Sequence, residues 1–167
     1  MKFPCFKKTI SLFLGMLIAL SVCATATIGA SAAKGYDYCV QNGSGTREPW
    51  RVEGSLSYRA IVNGEFTAFS FAMPTWTTKD SACTLALYKW TGDPDSSLAA
   101  EPIASKRFDP MSDNATNKIE FDPQPAGEYL FAVVDTRGSA GVWTNQDTTG
   151  NLGFLYVDGT EKNALPE

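Results

Sequence analysis

Most of the chain from Gly54 onward consists of short runs in which apolar and polar side chains alternate, each followed by turn-forming residues. Gly, Pro, Asn and Asp separate these runs and supply the backbone angles that tight turns require. A period of two places apolar side chains on one face of a strand, whereas a helix needs them at intervals of three and four. The pattern therefore predicts an all-β domain, an antiparallel β-sandwich of about eight strands with a jelly-roll-like arrangement.

The strongest strand signal is the apolar run over residues 129–134, which predicts a central strand buried on both faces. Two alternating runs, 56–62 and 69–73, flank Asn63-Gly64, so we expect them to form a hairpin. A single helical turn is expected near residues 98–100. The remaining predicted strands cover residues 83–90, 103–108, 118–121, 142–143 and 154–157.

The first 32 residues have the order of a secretory signal peptide. Three lysines precede an apolar run over residues 10–24, and small residues end the segment at Ala30-Ser31-Ala32. A membrane anchor would need a longer apolar run, of roughly 18 to 20 residues. A lipoprotein signal at Cys23 would need a small residue where Val22 stands. We therefore expect cleavage after Ala32 and a secreted, extracellular protein.

Removal of residues 1–32 would leave 135 of the 167 residues, enough for one hydrophobic core. We assign residues 33–53 to an irregular lead-in, since this stretch is rich in Gly, Ser and Asn, and residues 54–167 to the sandwich. Eleven basic and eighteen acidic residues would remain, giving a net charge of −7. This charge argues against nucleic acid and against anionic membranes as partners.

The sequence contains no histidine. The usual general base of Ser-His and Cys-His hydrolases and the commonest zinc ligand are therefore both missing. A glycoside hydrolase would instead need two carboxyl groups roughly 5 to 10 Å apart. Glu120 and Glu128 are candidates because they flank a turn, but solvated charges at strand ends are the default for both. We expect no catalytic activity and no cofactor.

Two cysteines, Cys39 and Cys83, would remain after signal cleavage. In an oxidising exterior such a pair predicts one disulfide, and two buried free thiols are the alternative. A structural calcium ion would need acidic loop residues, although none here follows the EF-hand spacing. The candidate ligands are Asp93, Asp95, Asp109, Asp113 and Asn114.

Aromatic and planar polar residues occur together near the predicted strand ends. A pyranose ring packs its C–H bonds on an aromatic plane, while carboxylate, amide and guanidinium groups bond its hydroxyls. We predict a ligand site from the stretch that follows the central strand, together with one tryptophan from an earlier loop. Its residues are Trp143, Arg137, Asp135, Asn145, Gln146 and Trp76. In the alternative interpretation Trp143 caps the core and the polar residues stabilise turns.

Five short segments carry a family resemblance: Pro74-Thr75-Trp76, residues 85–90, 102–104 and 125–131, and Gly141-Val142-Trp143. They resemble the jelly-roll accessory domains of bacterial carbohydrate-active enzymes, similar to carbohydrate-binding modules. The resemblance implies a non-catalytic domain whose partner is a polysaccharide or another glycan. The alternatives are an exported interaction or adhesion domain that binds a cell-surface protein, and a small glycoside hydrolase.

Overall fold

The computed structural model describes residues 46–146 and 153–166. The predicted signal peptide and Cys39 lie outside the described residues. No helix in the described part of the chain is both long enough and apolar enough to cross a membrane.

Eleven strands and one short helix make up these two described segments, and every strand pairing is antiparallel. The predicted all-β sandwich is confirmed. In chain order the elements are β1 (Arg47–Arg51), β2 (Leu56–Val62), β3 (Phe66–Met73), β4 (Ala82–Lys89), α1 (Pro94–Leu98), β5 (Ala104–Phe108), β6 (Ala115–Gln124), β7 (Gly127–Arg137), β8 (Gly141–Asn145), β9 (Gly153–Val157), β10 (Thr160–Lys162) and β11 (Leu165–Pro166).

The strands form one large sheet and two small ones. The large sheet has the order β10-β9-β2-β7-β4-β5, and the small sheets have the orders β1-β8-β11 and β3-β6. After β2, β5 and β7 the chain leaves the large sheet for one small-sheet strand and then returns. The N–H of Gly141 at the start of β8 donates to the carbonyl of Pro74 at 3.0 Å, so the two small sheets meet just after β3.

The hydrophobic core lies between the large sheet and the two small sheets. Leu87 and Phe131 face it from the large sheet, and Met73, Ile119 and Val142 face it from the small sheets. Aromatic rings meet edge to face within it: the ring centres of Phe69 and Phe131 are 5.0 Å apart at 74°. Burial of these side chains supplies the main stabilisation of the sandwich.

Strand β7 is the central strand that the apolar run predicts. It pairs with β2 along one edge and β4 along the other. Tyr129 and Phe131 face the core, whereas Leu130 and Ala132 belong to a second buried cluster on the outer face of the large sheet. Leu98 of α1 packs against that cluster. The prediction of burial on both faces is confirmed, although antiparallel sheets commonly leave one face to water.

The predicted hairpin of β2 and β3 is wrong. Strand β2 pairs with β7 and β9, while β3 pairs with β6 in another sheet. Because both edges of β2 are already hydrogen-bonded, no edge remains for β3. The short link from Asn63 to Glu65 therefore carries the chain across the core to the opposite layer.

Strand β1 lies within the segment that we expected to be an irregular lead-in, so that expectation fails for residues 47–51. It pairs with β8 in a register that sets Trp50 opposite Val142 and Arg47 opposite Asn145. Four of its five residues are exposed. Its sequence consequently shows no apolar alternation. The strand forms because its backbone pairs with β8, which lies about 90 residues further along the chain.

Cys83 is a free thiol, so the structure contradicts the predicted disulfide to Cys39. Its side chain is fully buried in the core cluster, and its sulfur lies 4.0 Å from the sulfur of Met73. Cys83 therefore behaves as a small apolar core residue, as buried cysteines often do.

The burial of Cys83 predicts resistance to alkylation. Burial raises the pKa of its thiol to about 12, although the positive charge of Arg107 opposes this shift. Very little of the reactive thiolate therefore exists near neutral pH. We expect iodoacetamide to leave Cys83 unmodified in the folded protein and to alkylate it after unfolding in guanidinium chloride. Mass spectrometry of the Cys83 peptide measures this, and equal labelling in both states would contradict the buried position.

Candidate functional site

The six residues predicted to bind a ligand fall into three separate sets of contacts. Arg137 and Asp135 lie at the end of β7, Asn145 and Gln146 lie at the end of β8, and the two tryptophans lie near the start of β8. The predicted site therefore does not form as a whole. The contacts of each set decide which of its side chains are available to a ligand.

Arg137 makes structural bonds. Its two terminal nitrogens contact the carboxylate of Asp109 at 2.9 and 2.5 Å, and its Nε donates to the carbonyl of Asp80 at 3.1 Å. Arg107 reaches the same carboxylate at 3.8 Å and also donates to the carbonyl oxygen of Asp135. These contacts fasten neighbouring ends of β4, β5 and β7, so the guanidinium of Arg137 is already occupied.

Asn145 and Gln146 close the ladder between β1 and β8. Asn145 is buried, and Gln146 is half-buried. The N–H of Gln146 donates to the carbonyl of Thr46 at 3.1 Å, and its side-chain amide reaches the carboxylate of Glu48 at 3.4 Å. These contacts leave little of either amide exposed to a ligand.

Trp76 stands on a turn with an unusual backbone. The N–H of Thr78 donates to the carbonyl of Thr75 at 3.0 Å, and φ is +47° at Trp76 and +61° at Thr77. Two central residues with positive φ match a type I′ turn, in which Gly and Asn are the usual residues. The left-handed region costs about 1–2 kcal/mol for each residue that has a Cβ. Other contacts must therefore hold this turn.

Asp113, from the loop between β5 and β6, supplies such contacts. One carboxylate oxygen accepts from the N–H of Thr75 at 2.6 Å and from its hydroxyl at 3.2 Å. The N–H of Thr75 is also the main reason that the pKa of the Asp113 carboxyl lies below its usual value, with smaller contributions from the N–H groups of Thr77 and Asn114. The carboxylate is therefore charged at neutral pH.

The indole of Trp76 lies over Gly141 and is 42% exposed. A Cβ on Gly141 would lie 2.5 Å from Cη2 of this indole, so only glycine permits the approach. Val142 points into the core, and its neighbours Gly141 and Trp143 consequently lie on the other face of β8. Their Cα atoms are about 7 Å apart along the strand. Trp76 and Trp143 thus share one face.

Trp143 is half-buried and is held from two sides. Its Nε1 donates to Oδ1 of Asn114 at 2.9 Å, and the guanidinium carbon of Arg47 lies 4.8 Å from its ring centre. The amide of Asn114 also donates to Asp113 at 3.2 Å, so one pair of loop residues contacts both tryptophan regions. We call Trp76, Asp113, Asn114 and Trp143 the tryptophan face.

An open cavity of about 310 Å³ adjoins the tryptophan face. Hydroxyl groups, one ammonium group, the carboxylate of Asp113 and one apolar side chain line it, so it can hydrogen-bond a polar ligand. Its lining residues are Thr75, Thr77, Thr78, Lys79, Met111, Ser112 and Asp113. The sequence indicated both tryptophans, but it did not indicate that the loop of Asp113 would meet them.

A second aromatic surface lies on the outer face of the large sheet. The guanidinium of Arg59 lies 4.8 Å from the ring centre of Trp90 and 5.5 Å from that of Phe154, and it pairs with Glu128 at 2.6 Å. Trp90 stacks on Tyr156 with 6.1 Å between ring centres and 21° between planes. We call these five residues the Arg59 surface. Sequence reasoning missed it, although Phe154 and Tyr156 follow the period of one strand face.

The two candidate catalytic carboxylates occur in unsuitable surroundings for acid catalysis. Glu120 lies on β6 and pairs with Lys118 at 2.9 Å, and both side chains are largely exposed. A hydrogen bond from Lys118, together with its charge, lowers the pKa of Glu120. A glycosidase acid needs the opposite shift. Glu128 lies on β7 in a different sheet and pairs with Arg59.

Within residues 46–146 and 153–166, no three His, Cys, Asp or Glu side chains gather as a metal site would need. Asp93 instead accepts from the N–H of Ser96 at 2.8 Å and caps α1. The predicted calcium ion stays a prediction. Comparisons with protein-family models, with curated proteins and with solved structures found no match to this chain.

The close contact between Trp76 and Gly141 predicts the effect of Gly141→Ala. The new methyl would collide with the indole and would lie 2.7 Å from the carbonyl oxygen of Trp50. We expect a loss of about 1–3 kcal/mol in the free energy of unfolding, as for other overpacked sites. Denaturant titration measures it. Gly64→Ala is the matched control, since nothing lies within 4 Å of its Cβ position; equal effects would contradict the contact.

Proposed function

We propose that this protein is a secreted, non-catalytic carbohydrate-binding β-sandwich and that the tryptophan face contacts the glycan. One observation carries the proposal: the exposed indole of Trp76 is held on a left-handed turn, on the same strand face as Trp143. Exposed aromatic planes beside polar groups are the chemistry that sugar recognition requires.

The surroundings of the two indoles suit a polyhydroxylated ligand. A sugar ring stacked on Trp76 would have its hydroxyls near the hydroxyls of Thr77, Thr78 and Ser112 in the adjoining cavity and near Lys79. These groups both donate and accept, apart from the ammonium, which only donates. We expect a polysaccharide that is not anionic, because the secreted chain would carry a net charge of −7.

The non-catalytic part of the proposal rests on the carboxylates. Glu120 and Glu128 lie in different sheets, and each is paired with a basic side chain. The sequence also lacks histidine, the side chain that most often serves as general acid or base. We therefore propose binding without turnover.

Substitution of the indoles tests the site. Trp76→Ala and Trp143→Ala each remove a stacking plane, and we expect each to weaken binding to the best ligand of a soluble-polysaccharide panel about tenfold, or ~1.4 kcal/mol. Trp76→Ala should barely change stability because its side chain is substantially exposed. Isothermal titration and thermal unfolding measure both quantities on the same samples.

Arg137→Ala is the matched control for these variants. Its guanidinium holds Asp109 and the Asp80 carbonyl, so its loss should lower stability by about 1 kcal/mol or less and leave glycan affinity unchanged. Full affinity in both tryptophan variants, or lost affinity in Arg137→Ala alone, would overturn the assignment of the site. Hydrolysis of any polysaccharide in the panel would overturn the non-catalytic proposal.

The second candidate function is protein interaction through the Arg59 surface. Phe154 and the nearby Ile61 are 44% and 46% exposed, two of the four large apolar side chains so exposed among the described residues. Tryptophan, tyrosine and arginine are also the residues that most often dominate protein interfaces. This surface shares no residue with the tryptophan face, so variants separate the two functions.

A cell-binding assay distinguishes the candidates. If a cell-surface protein is the partner, Phe154→Ser should reduce binding of the labelled protein to bacterial cells severalfold, because it removes an exposed apolar anchor. Protease treatment of the cells should have the same effect. Trp76→Ala is the matched control. Binding that survives protease and Phe154→Ser but is lost in Trp76→Ala would exclude the protein-interaction function.

A further inference from the structure

The turn that carries Trp76 has too few local bonds to explain its backbone. Thr77 is β-branched and has a φ of +61°, which is a genuine outlier for this residue type. Within the turn, only the N–H of Thr78 to the carbonyl of Thr75 closes the loop. Strained positions of this kind persist where the surrounding structure determines them. A restraint from elsewhere in the chain is therefore needed.

Asp113 is placed to provide that restraint. It lies 38 residues from Thr75 in sequence, so its bonds to the turn are long-range contacts. Its own loop is anchored, since the N–H of the buried Met111 donates to the carbonyl of Ser81 at 2.8 Å. The carboxylate thus joins a fixed loop to the first residue of the left-handed turn.

The hydrogen bonds of Asp113 leave it little capacity for a ligand. A carboxylate has about four acceptor positions. Two of them accept from the N–H and hydroxyl of Thr75, and a third accepts from the amide of Asn114. The last bond leaves Oδ1 of that amide facing Nε1 of Trp143. Asp113 therefore contacts the groups that place both indoles.

We propose that Asp113 is a positioning residue that holds the Thr75–Thr78 turn and so keeps the Trp76 indole over Gly141, in the orientation that meets the glycan. This inference rests on the proposed function, because the orientation matters to a ligand at this face. The orientation itself, however, can be measured without any ligand.

Two substitutions of Asp113 test the role in the full chain. Asp113→Ala removes every acceptor, and we expect polysaccharide affinity to fall about tenfold, the same loss that we expect for Trp76→Ala. Asp113→Asn keeps an acceptor for the N–H of Thr75, so we expect a smaller loss, of about two- to threefold. Asp93→Ala is the matched control, since Asp93 also accepts a backbone N–H in a loop but caps α1 instead.

A rescue variant separates positioning from direct sugar contact. Glycine adopts positive φ without a steric penalty, so Thr77→Gly should lessen the need for the carboxylate. We expect Asp113→Ala/Thr77→Gly to regain most of the affinity lost in Asp113→Ala. Absence of rescue in a folded double variant would overturn the proposal, because a carboxylate that bonds the sugar cannot be replaced by a glycine elsewhere.

The indole N–H resonance of Trp76, assigned with Trp76→Phe, supplies the ligand-free measurement. In Asp113→Ala this resonance should shift or broaden, and in the double variant it should return toward its original position. An unchanged resonance in Asp113→Ala would overturn positioning, whatever the affinity. If Trp76→Ala keeps full glycan affinity while the resonance responds as expected, the proposed function fails at this face and the positioning role stands.

Discussion

Strand β7 is hydrogen-bonded on both edges and buried on both faces. The other layers of the sandwich are arranged so that the apolar side chains of β7 are covered on each side. Its inner side chains, such as Tyr129 and Phe131, require the two small sheets opposite them. Its outer side chains, Leu130 and Ala132, lie on the face that an antiparallel sheet commonly leaves to water, so other residues must cover them. Trp90, Leu98 and Tyr156 supply that cover from the neighbouring elements. Without this cover, the apolar side chains of Leu130 and Ala132 would contact water, and the free energy gained by burying them would be lost.

The two aromatic surfaces differ in how much they contribute to covering the sheet. Trp90 and Tyr156 have a structural task on the outer face, and the stem of Arg59 can cover apolar surface while its charged end stays near water. Trp76, in contrast, covers Gly141 on β8, a residue that has no side chain of its own to bury. Packing therefore explains much of the Arg59 surface but not the exposed position of Trp76.

Sequence patterns located most strands but not their partners. The alternation in 56–62 follows from the pleat of β2, a local property that sets successive side chains on opposite faces. The choice between β3 and β9 as its neighbour depends on which edges are free after the whole sheet has formed. Strand β1, with four exposed residues, leaves no periodic trace in the sequence at all. The prediction of a disulfide was wrong for a similar reason, because the spacing of cysteines in the sequence cannot show that the Cys83 side chain points into the core.

The candidate site shows the same division between local and long-range information. Both tryptophans could be named from the sequence, whereas the loop that holds them could not.

The backbone angles distinguish this site from ordinary turns. Five described residues other than glycine have positive φ, and three of them, Asn114, Asp135 and Asp158, are of the types that tolerate it. Trp76 and Thr77 are not. A tight turn built only for stability would favour Gly or Asn at these two positions. A large indole held at that cost, and still substantially exposed, is the observation that supports the proposed glycan contact.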